Sequence, residues 1–202
     1  MFYKFAHAVV GVIYRLLYRF KVYGRENVPG GAALVCVNHS SMADPVLVAL
    51  ALKRKDRPRF MGKMELFKIF GLKQLITALG AYPVERGVSD MAAIRTTLDI
   101  LKAGDKVLIF PQGHRILEDG EAAAMKNGAA MLAFRSGAPL LPAYLSVGRK
   151  VFVNKIQIVF GKPFFAEKQP GGRSSEQYAA LAGRLRQEIY ALKPPEKKDA
   201  GD

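Results

Sequence analysis

Short apolar runs of buried-strand type alternate along this chain with stretches of helical periodicity, and that alternation limits the fold more than any other feature. Residues 34–37 form an apolar, β-branched run. Residues 106–110, ended by Pro111, form another, and 138–147 and 156–160 read the same way. A short strand is expected near residues 59–62. Helix is expected over 45–52, 64–79 and 122–136, and from Ser89 or Asp90 to about Lys102, where Gly104 stops it. A last helix should run from Ser174 or Ser175 to about Leu192. Asp44 followed by Pro45 is a helix start, with Asp as the N-cap and Pro at the first helical position. Strands alternating with helices predict an α/β fold, a mainly parallel central sheet flanked by helices. In such sheets the loops at the C-terminal ends of the strands build the active site.

The first residues do not fit that alternation. Phe2, Phe5, Ala6, Val9, Ile13, Leu16, Leu17 and Phe20 fall at helical spacing on one side, with Lys4, Arg15, Arg19 and Lys21 supplying charge. Tyr3, Tyr14, Tyr18 and Tyr23 suit a headgroup boundary. Residues 1–24 are therefore expected to form an amphipathic, membrane-contacting helix, followed by one folded domain over 25–193 and a charged tail over 194–202. No run reaches the ~18–20 apolar residues of a transmembrane helix, and no cleavable signal peptide is apparent. The chain of 202 residues carries a net charge of +14, which favours anionic partners. Ten Lys and Arg fall in residues 1–60 against Glu26, Asp44 and Asp56, and the cluster at 53–59 reads as a basic loop. Cys36 is the single cysteine, so a disulfide framework is excluded, and its apolar surroundings make it a buried small hydrophobe.

Three histidines are present. His7 belongs to the N-terminal amphipathic stretch, where a structural role is expected. His39 follows a buried strand directly and stands five residues before Asp44. A loop that turns back at the helix start can bring that carboxylate to one imidazole nitrogen, leaving the other free as a general base. Taken alone, Asp44 also reads as an ordinary cap and His39 as a loop hydrogen-bonder. Nucleophile-elbow, P-loop and dinucleotide-binding patterns are absent, as are H-E-x-x-H and paired C-x-x-C, so no metal site is expected.

The stretch Asn38-His39-Ser40-Ser41-Met42-Ala43-Asp44 resembles the N-H-x-x-x-x-D signature of the glycerolipid acyltransferases, the family of bacterial 1-acylglycerol-3-phosphate acyltransferase. Three further blocks follow in the family's order. Gly80-Ala81-Tyr82-Pro83-Val84-Glu85-Arg86 resembles the second, Phe110-Pro111-Gln112-Gly113-His114-Arg115 the third, F-P-E-G-T-R, and Leu141-Pro142-Ala143-Tyr144 the fourth. Lys126-Asn127-Gly128-Ala129-Ala130 matches the lead-in to that last block. The likeness spans roughly residues 20–165.

The resemblance implies an acyltransferase domain and direct transfer of a fatty acyl group from acyl-CoA or acyl carrier protein to the sn-2 hydroxyl of 1-acylglycerol-3-phosphate, giving phosphatidic acid. No covalent enzyme intermediate and no cofactor beyond the thioester co-substrate are expected. His39 would be the base and Asp44 its partner, Arg86, Arg115 and Lys63 would hold the acceptor phosphate, and Asn38, Gln112, Gly113 and His114 would line the acceptor pocket. The implied partners are anionic membrane lipids, lysophosphatidate and an acyl carrier protein, with no nucleic acid, at the cytoplasmic face of the membrane. Gln112 stands where the family has Glu, and His114 where it has Thr, which leaves other lysolipid or aminolipid acceptors open. A basic, non-enzymatic membrane- or nucleic-acid-binding protein is the reading from outside enzymology.

Overall fold

The computed structural model describes residues 3, 8, 11–12, 16, 18–53, 55–85, 90–115, 124–147 and 155–194. Seven strands form one sheet: β1 (Arg19–Tyr23), β2 (Ala33–Val37), β3 (Pro58–Lys63), β4 (Ala81–Val84), β5 (Lys106–Ile109), β6 (Leu140–Val147) and β7 (Lys155–Phe160). Their order is β1-β7-β6-β2-β5-β3-β4, and every pairing is parallel except β6 with β7. Five helices with bounds among the described residues accompany the sheet: α1 (Asp44–Ala51), α2 (Leu72–Ala78), α3 (Met91–Lys102), α4 (Gly128–Ser136) and α5 (Ser174–Ala191). The expected α/β architecture with a mainly parallel sheet is present.

β2 lies in the middle of the sheet, and all five of its side chains are inaccessible to solvent. Alternation divides them between two cores. Leu34 and Cys36 face the layer that contains α4 and the buried stripe of α5. Val35 and Val37 face Leu47, Val48 and Ala51 of α1. Complete burial raises the Cys36 thiol far above its ordinary range, so it is inert filling rather than a nucleophile. In α5 the stripe Leu181, Leu185 and Ile189 is buried at intervals of four, each side chain contributing about 1.5–3 kcal/mol. Tyr82 joins β4 to α3 by donating to Thr97 Oγ1 at 2.8 Å, because the Thr97 hydroxyl itself donates to Ala93 O.

Several elements differ from the sequence reading. Residues 19–23, expected within the N-terminal amphipathic helix, form an edge strand whose exposure alternates, with Phe20 and Val22 packed against the α1-side core. Apolar residues spaced for a helix here also satisfy a period of two. The sheet thus begins at Arg19, and Gly24 turns the chain out of it at φ 68°, where a Cβ would collide with Phe160 O. Tyr3 is buried beneath the Arg57 guanidinium, 4.7 Å from ring centroid to Cζ, and not at a headgroup boundary. The stretch 64–79 is interrupted: a 3-10 turn (Met64–Lys68) precedes Gly71, at φ 78°, and only then does α2 begin. The helix expected from 122 begins at Gly128, since the Lys126 amide donates across the fold to Pro111 O at 2.8 Å. The basic cluster at 53–59 is partly internal. Asp56 pairs with buried Lys106 at 2.9 Å, Lys106 also reaches Gly31 O, and Arg59 bonds Gly80 O. Lys106 opens β5, so this loop sits at the N-terminal ends of the parallel strands, opposite His39.

Candidate active site

β2 delivers the chain to its C-terminal end at Val37, and Asn38 anchors the loop beyond it. Its amide donates to Leu145 O at 2.9 Å and accepts from Leu145 N at 2.7 Å, extending the β2–β6 contact by a side chain. His39 comes next, 9 % exposed, with its ring stacked on Phe110 at 4.1 Å between centroids. The His39 amide donates to Gln112 Oε1 at 2.7 Å. That bond settles the orientation of the Gln112 amide, whose Nε2 then donates to the Tyr190 hydroxyl at 2.9 Å.

Asp44 is fully buried as the first residue of α1. It does not cap its own helix as expected. The carboxylate turns back into the loop, where Oδ2 accepts from Ser40 N at 2.7 Å, Ser41 N at 2.8 Å and His39 Nδ1 at 2.9 Å. Two backbone amides thus hold the carboxylate against the imidazole. An oxygen that accepts from Nδ1–H leaves the proton on that nitrogen and the lone pair on Nε2. Asp44 Oδ1 is buried and accepts no hydrogen bond from any described residue.

His39 lines a cleft of about 340 Å³, walled by Met61, Val84, Ile94, Leu108, Ile109, Phe110, Met131 and Leu132. Glu85, Asp90 and Lys126 supply its polar rim. Asp90 caps α3 through Ala93 N at 2.9 Å and accepts from Glu85 N at 2.8 Å. Those bonds, Glu85 first, hold its carboxyl below the usual range. Gly113, at φ 75°, lies under the Lys126 side chain, whose carbons would stand 2.8 Å from a Cβ there. The arrangement offers a base on an apolar cleft large enough for a small ligand.

The remaining site residues fall differently. Asn38 and Gln112 are buried, and their amides bind protein groups at both ends, so they position His39 rather than reach an acceptor. His114 and Arg115 are exposed, and neither lines the cleft. Lys63 is exposed and paired with Glu65 at 3.1 Å. Arg86 lies outside the described residues, between Glu85 and Asp90, which both line the cleft. Sequence reasoning singles out neither Phe110 nor Tyr190 as a neighbour of the base. It finds Lys126 only within a motif lead-in, although its place two residues before a helix of small residues puts it beside the third block.

The Gln112 contacts give a first test. Gln112→Glu retains an acceptor for the His39 amide, and the Tyr190 hydroxyl can turn to donate, so turnover should stay within about threefold. Gln112→Leu removes the acceptor, and kcat should fall about 10–100-fold, with acceptor KM nearly unchanged. Steady-state kinetics separate the two, and a change confined to acceptor KM would return Gln112 to the acceptor pocket.

The acyltransferase family model matches residues 19–146. The chain is similar to the 1-acyl-sn-glycerol-3-phosphate acyltransferase of Bacillus subtilis, 31% identical over 195 residues, which cover 94% of this chain and 96% of that protein. It is similar to the enzyme of the same name from Streptococcus pneumoniae, 33% identical over 132 residues, covering 62% of this chain but 47% of that longer protein. Among solved structures it resembles the 1-acyl-sn-glycerophosphate acyltransferase PlsC of Thermotoga maritima, with a TM-score of 0.65 and 27% identity, covering 90% of this chain and 75% of that one.

Proposed function

Because this chain belongs to the acyltransferase family, we propose that it transfers a fatty acyl group from acyl-CoA or acyl carrier protein to the sn-2 hydroxyl of 1-acylglycerol-3-phosphate, giving phosphatidic acid. The observation that carries the mechanism is the 2.9 Å contact between His39 Nδ1 and Asp44 Oδ2 on the wall of an apolar cleft. His39 Nε2 takes the proton of the acceptor hydroxyl as its oxygen attacks the thioester carbonyl. Asp44 stabilises the imidazolium that forms. Collapse of the tetrahedral intermediate expels the thiolate, which regains the proton from Nε2. The lipid hydroxyl is the nucleophile, so no acyl-enzyme forms. The apolar wall from Met61 to Leu132 suits an acyl chain.

Acceptor phosphate is held by Arg86, Arg115 and Lys63, together with Lys126, the described cation that lines the cleft. Arg86→Ala, Arg115→Ala and Lys126→Ala should each raise acceptor KM about 10–100-fold, since each loses a charge-assisted hydrogen bond, and leave donor KM within about threefold. Titrating donor and acceptor separately measures this, and a defect confined to the donor reassigns these cations. The reaction itself is tested by crossing a panel of lysolipids with both donor types and following thiol release and lipid product. Thiol release without any lysolipid dependence would overturn the reading.

The protein works at the cytoplasmic face of the membrane, met by the amphipathic stretch that precedes β1. Supporting this, Val12 and Leu16 of that stretch are exposed.

A further inference from the structure

Residues 64–79 reverse the usual relation between apolar composition and burial. Eight of these sixteen residues are Leu, Ile or Phe, yet neither the 3-10 turn nor α2 contains a buried side chain. Phe70 is 93% exposed, Ile69 51% and Leu75 44%. Cations stand among them. Lys68 and Lys73, with Arg59 from β3, line a surface cavity of about 370 Å³. Glu65 is the single acidic residue of the segment, and Lys63 pairs with it. Large apolar side chains interleaved with basic ones match the composition of elements that lie in a lipid interface. A purely apolar protein partner would leave the cations unanswered, whereas an anionic bilayer satisfies both sets.

The patch is also continuous with the N-terminal residues. Arg57 donates to the carbonyls of Thr77 and Ala78 at the end of α2, and its guanidinium lies over the ring of Tyr3. At its other end the segment leaves the C-terminal tip of β3, the edge of the sheet where His39 stands.

We propose that residues 64–79 form a second membrane-docking surface that seats on an anionic bilayer. Ile69, Phe70 and Leu75 enter the apolar layer, and Lys68, Lys73 and Arg59 meet lipid phosphates. Docking by this segment and the N-terminal residues together would hold the His39 edge of the sheet near the lipid from which an acceptor comes. The surface deepens the interfacial reading above, and its test uses no turnover, so it fails separately from that reading.

The sequence contains no tryptophan, so Phe70→Trp in the full chain places a single fluorophore in the patch. With vesicles of phosphatidylcholine and phosphatidylglycerol, its emission should shift to the blue and be quenched by brominated acyl chains. Pure phosphatidylcholine should produce little shift. Ile69→Ser with Phe70→Ser should lower the vesicle partition coefficient about a hundredfold. Lys68→Gln with Lys73→Gln should lower it about thirtyfold and flatten its salt dependence. These exposed positions should leave the circular dichroism melting curve unchanged. Sedimentation of the Phe70→Trp protein with vesicles but without a shift in its tryptophan emission overturns the patch and leaves only the N-terminal contact. Absence of vesicle binding by the wild type overturns both. A shift that instead follows protein concentration without vesicles, with self-association in sedimentation velocity, assigns the patch to a second copy and also overturns the proposal.

Discussion

Replacing His39 with alanine is expected to lower kcat by about 10⁴-fold while leaving the protein folded. The substitution removes the base that takes the hydroxyl proton, yet the residue 39 amide can still bond Gln112 and the Asp44 carboxylate still receives Ser40 N and Ser41 N. Asp44→Asn should be milder, about 10²–10³-fold. All three donors meet Oδ2, and Oδ1 has no partner among the described residues, so an asparagine can present its carbonyl oxygen to the donors and turn its NH₂ away from them. Geometry and tautomer then survive, and what disappears is the negative charge that steadies the imidazolium. Rates measured under saturating acceptor and donor test the ordering. Near-normal turnover by folded His39→Ala protein would remove His39 from the chemistry, and an Asp44→Asn defect as deep as that of His39→Ala would mean that the loop geometry had collapsed.

Asn38→Ala should cost about 2–5 kcal/mol of stability, because it strands two buried backbone groups at once, Leu145 N–H and Leu145 C=O. The midpoint of urea unfolding should fall with little change in slope. Asn38→Asp separates the two halves of the clamp. It keeps an acceptor for Leu145 N–H but turns a second oxygen toward Leu145 O, so it should fare no better than alanine. If Asn38→Ala unfolds within about 0.5 kcal/mol of wild type, the clamp is not structural, and Asn38 returns to the acceptor site.

What could be read from sequence was local. The β2 run, the Asp90 cap on α3 and the stop at Gly104, φ 86°, depend on neighbours a few residues away. So does the meeting of His39 with Asp44, which needs only one turn of loop. The contacts that define the surroundings of His39 are not local. Asn38 reaches Leu145 across 107 positions, Gln112 reaches His39 across 73 and Tyr190 across 78. A single amide residue carries no mark of its partner, so Gln112 reads equally well as a substrate contact. The edge strand β1 is hidden for another reason: its bulky residues suit a helix and a strand alike, and only pairing with β7 decides between them. The short run of α4 is set by one tertiary bond, from Lys126 N to Pro111 O, that no propensity encodes.

The pairing of β1 with β7 also imposes an order of events during synthesis. Arg19–Tyr23 leaves the ribosome long before its ladder partner, Lys155–Phe160. Until β7 is made the nascent chain therefore carries a basic, apolar stretch with no strand to join. The sheet is closed at that margin only when β7 emerges, and β1 then covers the edge that β7 would otherwise offer to other chains. Of the described strands, the one made first is thus the last to find its place, and a chain halted before β7 would leave it unpaired.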